Sequence, residues 1–168
     1  MLQPPTTSLL RAATSTFESL ALLFAESCSA VGAEFIPLEA AVSVSYHGAS
    51  SGRVVVGVTT GVLPALAENM LGAAAAPDVR LQHDALGEVA NVVTGNVLPL
   101  INGASAVFRL EAPAPAGETP FRVLEGEVQG ALVRLRMDEG DAILALFTKE
   151  VHGAGAGAGK HHPAAAIT

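Results

Sequence analysis

The stretch from Asp84 to Asn102 constrains this chain more than any other. Apolar residues recur at Leu86, Val89, Val93, Val97 and Leu100, the spacing that seals one side of a helix against a core. At about 100° per residue, Asp84, Glu88, Asn91 and Gly95 project roughly opposite to that stripe. A carboxylate and a carboxamide therefore stand one turn apart on the solvent side, beside a residue with no side chain. The carboxylate can grip a cation, and the carboxamide can orient a water. The glycine lets another surface come close.

The rest of the chain sorts into blocks around this helix. Leu10, Phe17, Leu20, Leu23 and Phe24 predict a helix from Leu9 to about Ala30, capped by Thr7 or Ser8 and stopped at Gly32. Pro4 and Pro5 argue against helix before it, so residues 1–8 are expected to be a flexible lead-in. Glu39–Tyr46 and Arg53–Thr59 flank the turn cluster 47–52 and predict a hairpin. Thr60 is the expected cap of a helix that runs to Leu71 and stops at Gly72, with Pro64 in its first turn. Residues 73–78 read as a linker. Beyond Gly103, strands are expected at Ser105–Glu111, Phe121–Glu127, Ala131–Met137 and Ala142–Lys149, with a proline-rich loop over 112–120 and a hairpin turn over Asp138–Asp141. Runs of helices kept apart from runs of strands predict an α+β domain over 9–150, with long helices layered on a mainly antiparallel sheet. The Gly/Ala-rich segment 151–168 is expected to be a disordered tail. His161 and His162 fall within it, and Gly153–Gly159 lacks the strand and helix that a phosphate-binding loop needs.

Composition excludes several function classes. The net charge is -7, with no Trp and one Tyr among 168 residues, which opposes phosphate-backbone binding and base stacking, so no nucleic-acid partner is expected. The apolar stretch Leu20–Ala25 is too short to span a bilayer and is flanked by Glu18 and Glu26. The first residues lack the basic-then-apolar order of a signal peptide. Cys28 is the single cysteine. Its place in an apolar helical pattern predicts a buried structural thiol, and a lone thiol suits a reducing compartment. A cytoplasmic protein with no membrane contact is the expectation.

The segment DALGEVANVVTGNV resembles the signature of the CheC/CheX/FliY family of chemotaxis phosphatases: an acidic or small polar residue, then E-x-x-N, then glycine four residues later. Those positions are Asp84, Glu88, Asn91 and Gly95. The preceding RVVVGVTTGVLPALAENMLG is similar to the family's strand followed by a helix ending in Met-Leu-Gly. Two-site members repeat E-x-x-N on the first helix. Here TFESLALL keeps Glu18 but has Ala at position 21, so the resemblance is to the single-site CheX type with a CheX/CheC-like layered fold.

The resemblance implies a protein phosphatase that hydrolyses the aspartyl phosphate of a CheY-like response-regulator receiver domain. An acyl phosphate is already activated, so catalysis reduces largely to placing a water in line with the scissile bond. Asn91 would orient that water and Glu88 would pair with a receiver lysine. Asp84 and Gly95 would extend the contact. Mg²⁺ would belong to the receiver, leaving this chain without a cofactor or metal of its own. A homodimer is expected from the same resemblance. The alternative is a non-catalytic module that binds a receiver or another signalling protein through the same helix.

Overall fold

The computed structural model describes residues 1–30 and 36–150. Three helices, α1 (Pro5–Ala21), α2 (Val62–Leu71) and α3 (Val79–Asn102), pack on one face of a seven-stranded sheet. The strands are β1 (Ala25–Ala30), β2 (Ala40–Gly48), β3 (Gly52–Val58), β4 (Phe108–Leu110), β5 (Ala114–Pro115), β6 (Glu127–Met137) and β7 (Gly140–Lys149). The sheet order is β1-β6-β7-β3-β2-β4, with β5 also pairing β2, and every pairing is antiparallel. This is the α+β layered architecture expected from the sequence.

Alternation along the strands decides which side chains meet the helices. Val54, Val56 and Val58 of β3 and Leu144 and Leu146 of β7 point into the main core, where Leu86, Val89, Val93 and Val97 of α3 meet them fully buried. Val55, Ala145 and Phe147 point the other way, into a smaller cluster covered by Ala116, Phe121 and Leu132. The two central strands are therefore buried on both faces, which explains their nearly continuous apolar runs. Tyr46 of β2 closes one end. Its hydroxyl donates to the Phe147 carbonyl at 3.0 Å, and burial pushes the phenol above its usual pKa, keeping it a neutral donor. Tyr46→Phe removes that bond with little change of volume, and is expected to cost about 1 kcal/mol in urea unfolding.

The hairpin β2–β3, the turn between β6 and β7, and the stop at Gly72 lie where the sequence placed them. Several expectations are corrected. α1 starts at Pro5, not Leu9, because proline at the first helical position gives up no needed hydrogen bond. α1 also ends at Ala21, not near Ala30. Leu22 turns into the left-handed region at φ 54°, Leu23 N–H reaches back to the Phe17 carbonyl at 3.0 Å, and Asn69 of α2 donates to the Ala21 carbonyl at 2.8 Å. The expected stop at Gly32 lies outside the described residues, as do Gly153–Gly159, His161 and His162. The six residues after the turn form the edge strand β1, so Cys28 is an exposed strand residue and not a buried helical thiol.

α2 begins at Val62 instead of being capped by Thr60. Gly61 precedes it at φ 98°, and a β-carbon there would lie 2.4 Å from the Glu139 carbonyl. The expected strand Phe121–Glu127 is a turn-rich strap. Arg53 donates to the carbonyls of Pro120 at 3.2 Å and Arg122 at 2.7 Å, supplying from a side chain what a neighbouring strand would have supplied from backbone. The Ser105–Glu111 strand shortens to β4, and the proline-rich loop gains the two-residue β5.

Candidate functional site

α3 starts five residues before Asp84. Asp78 caps it, its carboxylate accepting from Leu81 N–H at 3.1 Å just after Pro77 has interrupted the chain. His83 therefore lies inside the helix and is exposed. The apolar stripe locks the rotation of α3. Because Leu86, Val89, Val93 and Val97 are fully buried, Asp84, Glu88 and Gly95 are forced to the surface and Asn91 sits half-buried between them. The polar stripe inferred from spacing exists as one helix face, exposed at Asp84, Glu88 and Gly95 and half-buried at Asn91.

The four residues differ in what already holds them. Asp84 meets Arg80 one turn earlier at 3.6 Å, a surface pair worth little. Glu88 and Asn91 have no hydrogen-bond or ion-pair partner among the described residues. This is notable for Asn91, since the sequence holds four asparagines and the other three are used by the fold. Asn69 donates to the Ala21 carbonyl, Asn96 to the Thr16 hydroxyl at 3.3 Å and Asn102 to the Leu98 carbonyl at 3.1 Å. Gly95 faces open space, with no atom beyond its chain neighbours and its own helix backbone within 4 Å of where a β-carbon would stand.

Beside Glu88 lies a cleft of about 350 Å³ lined by Val42, His83, Asp84, Gly87, Glu88 and Pro113–Pro115. Antiparallel pairing of β5 with β2, Val42 opposite Pro115 and Ser43 opposite Ala114, carries the proline-rich loop up to the helix. Gly87 makes the close approach possible: a β-carbon there would stand 3.3 Å from Pro113. Sequence reading missed this wall, since 112–120 has no periodicity. The one signal was the glycine inside an otherwise good helix. A second cavity, about 600 Å³ between residues 36–41 and 117–122, contains none of the candidate residues.

The first helix does not carry a second copy of the pair. Ala21, the position matching the asparagine in the E-x-x-N reading of α1, is fully buried. The burial of Ser8, Leu9, Ala12, Ala13, Thr16 and Phe17 instead repeats the spacing of Ala85, Leu86, Val89, Ala90, Val93 and Thr94. That match puts Arg11 where α3 has Glu88 and Thr14 where it has Asn91, a different chemistry.

Among the described residues, no group of three or more His, Cys, Asp or Glu side chains could hold a metal ion, and no helix is long and apolar enough to cross a membrane.

No sequence-family profile matches the chain, and no curated protein matches it. Solved structures do. CheX from Borrelia burgdorferi, in a complex with CheY, BeF3 and Mg²⁺, superposes with a TM-score of 0.66 at 18% identity, covering 86% of this chain and 97% of that one. CheX from Vibrio vulnificus gives 0.65 at 16% identity over 88% and 100% of the two chains. A CheX from Desulfovibrio desulfuricans gives 0.63 at 15% identity over 85% and 97%. Near-complete coverage in both directions means that the whole layered unit is shared, not one motif. The chain has the fold of the CheX and CheC-like chemotaxis proteins.

Proposed function

We propose that this protein is a phosphatase for the aspartyl phosphate of a CheY-like receiver domain, with the exposed face of α3 as its contribution to a shared active site. The observation that carries the reading is Asn91: a half-buried carboxamide between exposed Glu88 and Gly95, unpartnered among the described residues where every other asparagine is used by the fold. The CheX structure bound to CheY, BeF3 and Mg²⁺ supports the choice of partner.

The chemistry follows from what these groups can do. The Asn91 carboxamide oxygen accepts a hydrogen bond from a water and directs its lone pair at phosphorus. Being neutral, it does so without repelling the phosphoryl oxygens. Glu88, one turn earlier and free of internal partners, forms an ion pair with a lysine of the receiver and sets the helix in register. Asp84 extends the acidic edge, and Gly95 admits the receiver's surface. The receiver holds the Mg²⁺. Water enters as nucleophile, the P–O bond to the receiver aspartate breaks, and inorganic phosphate leaves. The cytoplasmic location and the homodimer belong to the same proposal, and light scattering on dilute protein measures the dimer.

The decisive measurement is phosphate release from receiver domains phosphorylated by a small-molecule phosphodonor. The chain is expected to shorten the phosphate lifetime of at least one receiver. Binding without any change in lifetime would establish the non-catalytic module instead.

A further inference from the structure

The turn that ends α1 carries side chains that neither the helix nor the core requires. At the left-handed position that closes a helix, glycine or asparagine is the usual residue, because a β-carbon is crowded there. This chain has Leu22, at φ 54°, and no other described residue except glycine has a positive φ. Packing does not explain the choice, since Leu22 is 58% exposed. Phe24 follows at 64% exposed, while Leu23 between them is buried. The turn is pinned from both sides, by Leu23 N–H on the Phe17 carbonyl and by Asn69 on the Ala21 carbonyl. The second bond brings up the end of α2, where Leu71 is 52% exposed. Three large apolar side chains therefore meet solvent at one end of the helical layer, a grouping that marks an interaction surface more often than scattered apolar residues do.

The border of this patch is acidic. Ala25 pairs with Met137 and Ser27 with Arg136, so Glu26 is the extra residue of a β-bulge beside the turn that holds Asp138 and Glu139. All three carboxylates are exposed. A hydrogen bond with Asp138, the Asp138 charge, desolvation and the Glu139 charge all push the Glu26 carboxyl above its usual pKa, and no cation opposes them.

We propose that the turn after α1 is a docking surface for a segment of another protein that carries apolar side chains flanked by lysine or arginine. The occupant follows from the charge. Leu22, Phe24 and Leu71 supply the apolar area, and the unopposed carboxylates of Glu26, Asp138 and Glu139 select a cationic border on whatever covers it. The same carboxylates disfavour an anionic membrane surface. They also disfavour a second copy, because a symmetric contact would set the three acids of one copy against those of the other. The surface shares no residue with the α3 stripe and does not depend on the phosphatase reading.

The test uses a fluorescently labelled amphipathic peptide of leucine and lysine, its leucine–glutamate counterpart, and anisotropy as the readout. The wild-type chain should bind the lysine peptide and not the glutamate one. Leu22→Asn with Phe24→Ser should weaken that binding by about tenfold or more, as expected when apolar anchors are removed. Glu26→Lys with Asp138→Lys should weaken it as well. Leu22→Asn alone should melt no lower than the wild type, because asparagine tolerates the left-handed turn. A lower melting temperature would show that Leu22 is a packing residue and overturn the premise. Unchanged affinity in Leu22→Asn with Phe24→Ser overturns the docking role, as does equal binding of the glutamate peptide. Binding lost in Glu88→Lys but kept in the turn variants moves the peptide to the α3 stripe and overturns it too. So does a wild-type chain that sediments with phosphatidylcholine vesicles and ignores the peptide, or a wild-type dimer by light scattering that Phe24→Ser dissociates.

Discussion

Asn91→Ala is expected to slow phosphate loss from a phosphorylated receiver by at least about tenfold, equivalent to ~1.4 kcal/mol of barrier, and to leave the fold intact. The two halves of this expectation have separate grounds. The side chain has no hydrogen-bond partner within the described chain, so truncating it removes no native bond and the melting temperature should not move. Its proposed role is confined to orienting the attacking water, so binding of the unreacted receiver should stay within about twofold while the rate at saturation falls. Asn91→Asp is a sharper probe. It keeps the shape but adds a negative charge facing the phosphoryl oxygens, and should be at least as slow. Wild-type turnover in Asn91→Ala would remove the catalytic assignment. Glu88→Lys separates docking from chemistry, since it should abolish receiver binding by placing like charge against the receiver's lysine.

Glu127→Ala is expected to destabilise the protein by about 3 kcal/mol, lowering the melting temperature by roughly 6–12 °C for a domain of this size. Arg53 and Glu127 form a two-pronged ion pair at 2.8 and 3.0 Å, with side chains only 12% and 3% exposed. Arg53 also lies 4.2 Å over the Phe147 ring and holds the strap carbonyls of Pro120 and Arg122. Removing the carboxylate strands a guanidinium in a nearly dry site and releases the strap from the back of the sheet. Replacing both residues with methionine should cost less than Glu127→Ala alone, because no charge is then left unpaired.

The pair also sets an acid limit. Burial alone would raise the Glu127 carboxyl, but the hydrogen bond from Arg53, the Leu124 N–H and the Arg53 charge outweigh it and hold the pKa below the ordinary 4.5. A pKa lowered by folding contributes stability above the unfolded value and loses it as pH falls through the folded value. Urea midpoints should therefore drop below about pH 4.5, and the drop should shrink in Glu127→Gln.

How much was legible in the sequence varies with the range of the forces involved. The hairpin β2–β3, α2 and the core stripe of α3 are products of local period and turn chemistry, and residue spacing revealed them. The end of α1 was hidden because no glycine marks it. Leu22 adopts its left-handed turn while Asn69, 48 residues away, caps Ala21. Cys28 followed that error, passing from expected core to exposed edge. The strap at 121–126 was hidden for a similar reason, since its backbone partners come from Arg53 on a strand nearly 70 residues earlier.

The polar stripe itself was set by sequence alone. Once Leu86, Val89, Val93 and Val97 are committed to a core, helical geometry leaves no choice about where Asp84, Glu88, Asn91 and Gly95 point. Only the tertiary structure decided what surrounds them: which asparagine remains unpartnered, that Gly87 admits Pro113, and that a proline-walled cleft opens beside Glu88. The orientation of a side chain on a helix is a local consequence of its period, whereas its freedom and its neighbours depend on segments brought together by the sheet.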